Sequence, residues 1–500
     1  MADDELETGR PPQSTRKRQG QAPIGPSQAI TLFISLMLVG LIVCSPMQNQ
    51  SDVRMLHVVR PVETVQRLFE RNLWIEEAID DIPAQYRRVA RILVGDSEPM
   101  RPAAIAAFDE VLQQNGYPAR DLQGETKPVD PQLLDGLRAR RAVLLLEANR
   151  NEEARVDMQR LSASGHAAFV EGLKLAFSTE PSTELRNIDE FEPGLAGDDW
   201  IGTMLRVRLE RATNAGGVSG DTLLAINTRQ QSVFGRVVLM AALRVALLLA
   251  GFIVILSWLV RNRPAIPSGG ADIPPVWTFE SGYSTAVRVA FAAIAVQFVV
   301  TITDAGLGQP LLRVVSATLC ALPLLWLVRR RLLRPLGATF DSAFGLSPFV
   351  RPLNWIGVAL AVHAIQWLGV QVLVDGLLAT GVKSHWSGQV DSIVLWVARP
   401  LALVEVFDVC VVAPIAVELG LRGLMFLTLR RHYGAWQSAL FSSLLFAAAQ
   451  FDSMPGMVAT AWVGFVYAMT YERTRSLVPN IAAGMLAGAL AYAHIWAFWR

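Results

Sequence analysis

From residue 237 onward the chain is a succession of apolar runs joined by short polar links, and that pattern restricts the fold more than any single motif does. The runs lie near 237–260, 286–302, 311–328, 353–378, 401–429, 435–450, 457–471 and 478–499. They run from 15 to 29 residues, around the roughly 17–25 that cross a bilayer as a helix. A further run, ITLFISLMLVGLIVC at 30–44, stands alone near the N-terminus. Apolar residues make up 52% of the 500-residue chain, well above an ordinary soluble domain. The expected fold class is therefore all-α: a polytopic transmembrane helical bundle of about nine spans, with the lipid bilayer as its first partner.

Basic residues set the orientation of such a bundle. Clusters occur at Arg261 and Arg263, at Arg329, Arg330, Arg331 and Arg334, at Arg430 and Arg431, and at Arg473 and Arg475, after every second span counted from the second. Arg16, Lys17 and Arg18 precede the first span, and the last ends in WAFWR. That alternation fits nine spans with a cytoplasmic N-terminus and an extracytoplasmic C-terminus. Residues 1–27 then read as a disordered cytoplasmic tail and 28–45 as an anchor. Cleavage as a signal peptide is disfavoured because no small-x-small site follows, and Val43 before Cys44 fits a lipoprotein acceptor site poorly.

Between 46 and 235 the composition becomes that of a charged, soluble helical domain, expected on the extracytoplasmic side between spans one and two. Its clearest piece is LRARRAVLLLEANRNEEARVDMQRL at 137–161. Leu144, Leu145 and Ala148 form one apolar stripe, residues 149–151 make a turn, and Ala154, Met158 and Leu161 continue on a second helix. The unit is similar to a tetratricopeptide-type hairpin, but with one copy visible an irregular helical domain fits equally well. Glu76 and Glu77, on an amphipathic stretch, read as a solvated face.

A net charge of +1, from 45 basic and 44 acidic residues, provides no basic field for nucleic acid. Cys44, Cys320 and Cys410 all sit in apolar stretches and read as packing residues. No metal or cofactor is expected: the chain has no H-E-x-x-H and its six histidines are scattered.

Ionisable residues within spans are the first functional candidates in a membrane protein. Arg244, Arg288 and Arg313 lie near span ends, where snorkelling accounts for them. Glu405 and Asp408, one turn apart, read as a pair near the mouth of their span. Glu418 and Arg422 are deeper. At i and i+4, with the acid N-terminal, they share a helix face and can neutralise each other, which makes a structural lock their first reading.

The residues around this pair carry a family resemblance. VELGLRG at 417–423, LRRHYGAWQSALFSSLLFAAAQ at 429–450 and VGFVYAMTYERTRSLVPNIAAGMLAG at 463–488 follow one another in order. The stretch 414–488 resembles the CAAX-protease and bacteriocin-processing (CPBP) family of intramembrane proteases. That family carries E-E-x-x-x-R-G, then F-x-x-x-H, then H-x-x-x-N or H-x-x-x-D. The resemblance implies a CPBP-like domain at 351–500, with 236–350 holding spans two to four and a cytoplasmic loop. It also implies a bacterial inner-membrane location and a transmembrane or lipidated peptide, or a partner protein, as ligand.

The departures fall on the chemical positions. Val417 replaces the glutamate that the family uses to activate water, Gln450 replaces the second-motif histidine, and Gly484 and Gly488 replace the third-motif oxyanion-stabilising pair. Glu418, Arg422 and Phe446 remain. Peptide hydrolysis needs a base for water and a means of polarising the carbonyl, and valine and glycine supply neither. Gln450 hydrogen-bonds but does not shuttle protons near neutral pH. Losing one such group costs a factor of about a hundred to ten thousand, and members of one site act as a unit.

Displaced residues offer limited rescue. His494 lies ten residues beyond Gly484, about 15 Å along a helix. His363 has a plausible depth, but a lone intramembrane histidine also serves as a hydrogen-bonded packing residue. Glu405 and Asp408 are at least ten residues from Glu418. The expectation is a CPBP homologue, catalytically impaired, acting as a membrane binding or scaffold protein. An active endopeptidase rearranged around Glu418 with His363 or Glu405 is the alternative. A transporter ranks lower, since no inverted repeat is visible. The small-residue runs at 447–449 and 482–491 allow close helix approach, suited to tight packing or to a groove for another helix.

Overall fold

The computed structural model describes residues 28, 30–36, 61–94, 100–113, 130–178, 187–197, 199–213, 217–260, 270–307, 314–346, 352–382, 402–450 and 454–498. The tail 1–27, most of the first apolar run, Arg261, Arg263 and Arg313 lie outside them. Every regular element among the described residues is helical.

The N-terminal portion, read from the sequence as soluble, is built from α1 (Pro61–Asp80), α2 (Ala84–Val94), α3 (Met100–Gln113), α4 (Pro131–Glu147), α5 (Asn151–Ala163), α6 (Ala167–Ala176) and α7 (Trp200–Thr213). Its core is apolar and closed, with Phe69, Phe108, Phe169 and Trp200 among its largest buried side chains. The predicted hairpin is α4–α5. Asp130 caps α4 by accepting from the Gln132 N–H, with Pro131 at the first helical position. The helix ends where Asn149 takes a left-handed φ of 58° and the Arg150 N–H returns to the Leu145 carbonyl at 2.8 Å. Leu144, Leu145, Ala154 and Leu161 are buried as expected. Ala148 is exposed instead, because it is the last residue before the turn rather than part of the core face. Arg141 braces the hairpin, bonding Asp157 at 2.8 Å and Asp109 on α3 at 2.9 Å.

Glu76 and Glu77 do not form a purely solvated face. Glu77 pairs with Arg101 at 3.3 Å and Glu76 accepts from the Met100 N–H, so the two tie α1 to the start of α3.

Helix α8 (Gly220–Val260) links the two halves. Its 41 residues span about 60 Å. Its first half lines a cleft with α1, Arg244 near the middle reaches α2, and the almost uncharged remainder packs on α12 (Pro352–Ala379) around Gly251. Between them lie α9 (Phe279–Leu307), α10 (Ser316–Val328) and the short α11 (Phe340–Phe344). A helix over 402–429, α13, carries two π-helical stretches, Asp408–Val412 and Leu419–Phe426. The chain closes with α14 (Ala435–Gln450), α15 (Met454–Thr474) and α16 (Val478–Phe498).

Among the described residues, four helices, Gly220–Val260, Phe279–Val300, Asn354–Ala379 and Val478–Phe498, are long and apolar enough to cross a membrane. Large apolar side chains such as Phe252, Ile253, Leu259 and Val372 face outward on them, which suits hydrocarbon rather than water. The first run is helical over 30–36 and leans on α9, where Tyr283 donates to Ser35 and Arg288 to Thr31, both at 3.0 Å.

The two ends of the bundle differ. At one end the links between helices are stitched together: Ala271 donates to the Arg475 carbonyl, Ser476 to the Gly345 carbonyl, and Arg430 grips Glu472 through two contacts of 2.9 Å. At the other end, Arg236 donates to the Ala497 carbonyl at 2.7 Å and Arg244 to the Leu93 carbonyl at 2.6 Å, joining α8 to α16 and α2.

Candidate functional site

Burying charge in an apolar bundle is costly, so the charged side chains that are buried mark where the fold has spent stability for a purpose. Glu418 and Arg422 are each only 1% exposed. Arg422 Nη1 stands 3.1 Å from Glu418 Oε1, in ion-pair contact but not in line for a hydrogen bond. The π-helical stretch begins at Leu419, directly after Glu418. The guanidinium lies between two aromatic rings, with Phe446 of α14 at 5.1 Å and Tyr467 of α15 at 5.4 Å from their centroids. Cation–π contact with two rings is one way to hold an arginine without water.

Asn480 of α16 completes the cluster. Its Nδ2 donates to Glu418 Oε2 at 3.1 Å and to the Tyr467 carbonyl at 2.8 Å. The sequence reading passed over this residue, although a fully buried amide within an apolar run is the same type of signal that singled out Glu418.

The remaining motif positions lie around this cluster without joining it. Val417 precedes Glu418 and is half-buried, and Gln450 is exposed at the end of α14. Gly484 and Gly488 lie where α16 presses on α13. A β-carbon at Gly484 would stand 3.1 Å from the Pro414 β-carbon, and one at Gly488 would stand 3.3 Å from the Cys410 α-carbon. Both distances are shorter than ordinary van der Waals contact, so a side chain at either position requires the neighbouring helix to give by a few tenths of an ångström.

The displaced candidates have other partners. His363 is buried on α12 with its Nδ1 3.2 Å from Gln366 Nε2, and Gln366 in turn contacts Tyr467. His494 packs at a tilt against Phe498, 4.8 Å between ring centroids, at the far end of α16. Glu405 and Asp408 are each 2% exposed, so both carboxylates are buried against other helices. The Asp408 carboxylate caps α10, accepting from the Ala317 N–H at 2.8 Å and the Thr318 N–H at 2.9 Å, together with the Thr318 hydroxyl. A carboxylate there satisfies orphan amides and favours the positive end of the helix dipole. Among the described residues, no three of His, Cys, Asp and Glu come together as a metal-binding group.

Residues 399–490 match the Rce1-like family, type II CAAX prenyl endopeptidase Rce1-like. The match agrees with the CPBP resemblance and spans α13 to most of α16, leaving the soluble portion and α8 to α12 outside it. No curated protein and no solved structure matches the chain.

Proposed function

We propose that this chain is a CAAX-type intramembrane protease homologue in which hydrolysis has been lost, and that it works as a membrane binding or scaffold protein. The observation that carries the proposal is the contact of α16 with α13 at Gly484–Pro414 and Gly488–Cys410. A catalytic imidazole or amide at either position would press on this close contact, which the two glycines keep tight. Glu418, Arg422 and Asn480 then have a structural role, joining α13 to α16 with Phe446 and Tyr467 as walls.

The topology belongs to the same proposal. Nine spans with a cytoplasmic N-terminus put the arginine-flanked links on one side, and the hydrogen bonds that join Ala271 to Arg475, Ser476 to Gly345 and Arg430 to Glu472 support that reading. The soluble portion meets the opposite end and would be extracytoplasmic. Residues 46–235 form that domain, 236–350 carry spans two to four, and 351–500 form the protease-like unit in a bacterial inner membrane. The ligand class is a transmembrane or lipidated peptide or a partner protein.

One observation favours a second reading. His363, Gln366 and Tyr467 form a polar row that ends beside Arg422, so a proton route from His363 toward Glu418 would pass through two intermediate side chains. The purified chain, reconstituted and offered a prenylated CAAX-type reporter peptide, is expected to show no cleavage above background. Cleavage that Glu418→Ala and His363→Ala both abolish would establish the rearranged protease instead.

A further inference from the structure

Between α1 and the first half of α8 lies a cleft of about 660 Å³, within the usual size range of ligand sites. Its charge is lopsided. Arg67 and Arg71 come from α1 and Arg229 and Arg236 from α8, against two carboxylates, Glu70 and Asp221. Arg67, Arg71 and Trp74 are spaced i, i+4 and i+7, so one face of α1 presents both guanidiniums and an indole. Arg229 sits over the Trp74 ring at 5.6 Å and 3.7 Å from Glu70, and half of its side chain is still exposed.

The level of the cleft in the molecule is as informative as its charge. Arg236 is the last residue of α8 before the apolar run that begins at Val237, and it donates to the Ala497 carbonyl at the end of α16. Phe498 and Val233 form part of the wall. Immediately beyond, Val238, Leu239 and Leu243 point outward on the half of α8 suited to hydrocarbon. A basic, partly apolar cleft is thus placed where lipid headgroups begin, with its wall continuous with a surface for acyl chains.

We propose that this cleft binds the phosphate headgroup of an anionic phospholipid, with the arginines holding the phosphate and the lipid chains lying along the apolar half of α8. Arginine suits the task because its planar donors match phosphate oxygens two at a time. The inference rests on α8 entering the bilayer after Arg236 and not on whether the bundle hydrolyses peptides. It gives the junction between the soluble portion and the bundle a lipid-dependent contact.

The test is native mass spectrometry of the full chain in mild detergent, titrated with phosphatidylglycerol and, in parallel, with phosphatidylcholine. Wild type is expected to retain phosphatidylglycerol in preference to phosphatidylcholine. The Arg67→Gln/Arg229→Gln variant is expected to lose on the order of ten- to a hundredfold in affinity for it. Arg67→Lys/Arg229→Lys, which keeps the charge, should recover part of the loss, and Arg155→Gln, on an exposed face of α5, should have no effect. Inorganic phosphate at millimolar concentration should leave the lipid bound. Equal binding of the two lipids, an unchanged Gln/Gln variant whose unfolding temperature matches wild type, or displacement of the lipid by free phosphate would each overturn the assignment.

Discussion

Asn480 donates to Glu418 across the contact between α16 and α13, and the same amide reaches the Tyr467 carbonyl on α15. One side chain therefore links three helices at the depth where the only acid of the first motif is buried. Replacing it by leucine removes a donor to a charged acceptor and the second bond to a helix carbonyl. The expected cost is about 1–3 kcal/mol, read as a lower unfolding temperature in detergent. An Asn480→Leu protein as stable as wild type would show that the link carries no weight.

The ion pair itself gives a second prediction. Removing Arg422 alone leaves a carboxylate without its counter-charge, a change that typically costs about 3–5 kcal/mol. Removing both charges with shape-matched residues costs much less. Thermal unfolding of Arg422→Leu, Glu418→Leu and the double variant should therefore show strong coupling, with the double closer to wild type than either single variant. Additive losses would mean that the two side chains do not act as a lock.

Much of this arrangement was legible in the sequence, and what was not has physical causes. The i, i+4 spacing of Glu418 and Arg422 predicts a contact, and the two side chains stand 3.1 Å apart although a π-helical stretch begins directly after Glu418. The fate of Glu405 and Asp408 was not legible, because a helix N-terminus 90 residues upstream along the chain supplies the amides for Asp408. Local spacing carries no information about such a partner. Ala148 was misplaced because periodicity continues smoothly through a residue that the turn at Asn149 turns outward. Gly484 and Gly488 read as lost side chains. The close approach to Pro414 and Cys410 that their loss permits becomes visible only in three dimensions.

The soluble portion should show a pH dependence of its own. Burial holds the Asp157 carboxyl above the ordinary aspartate range, although Arg141 pulls in the opposite direction. A raised folded-state value means that the native state binds the proton more tightly than the unfolded chain does. The associated stability is full below the unfolded value and is lost as pH rises through the folded one. The unfolding temperature of wild type should therefore fall relative to Asp157→Asn as pH is raised from strongly acidic conditions through the carboxylate range. A difference that is constant with pH, or that grows in favour of wild type, would contradict the shift.

Orientation is testable with single cysteines in a chain freed of Cys44, Cys320 and Cys410. Asn151→Cys, at the exposed start of α5, should react with an impermeant maleimide added outside intact cells. Arg330→Cys, in the basic link after α10, should react only after the membrane is opened. Labelling of both from the same side would remove the basis for an extracytoplasmic domain.

The helix contact at Gly484 leads to the most demanding prediction, because it opposes the simplest repair. Restoring the family pattern with Val417→Glu, Gln450→His, Gly484→His and Gly488→Asn supplies every missing chemical group, and on composition alone should revive hydrolysis. Packing argues otherwise. A histidine at 484 would begin 3.1 Å from the Pro414 β-carbon, and an asparagine at 488 would begin 3.3 Å from the Cys410 backbone. Overpacking of this kind costs about 1–3 kcal/mol per site, and here two sites lie two turns of one helix or less apart on the same contact. The fourfold variant is expected to unfold at lower temperature than wild type and to cleave no reporter peptide, with Gly484→His alone accounting for much of the destabilisation. A stable, active fourfold variant would show that α13 and α16 separate readily, and that the chain lacks only side chains and not the space to hold them.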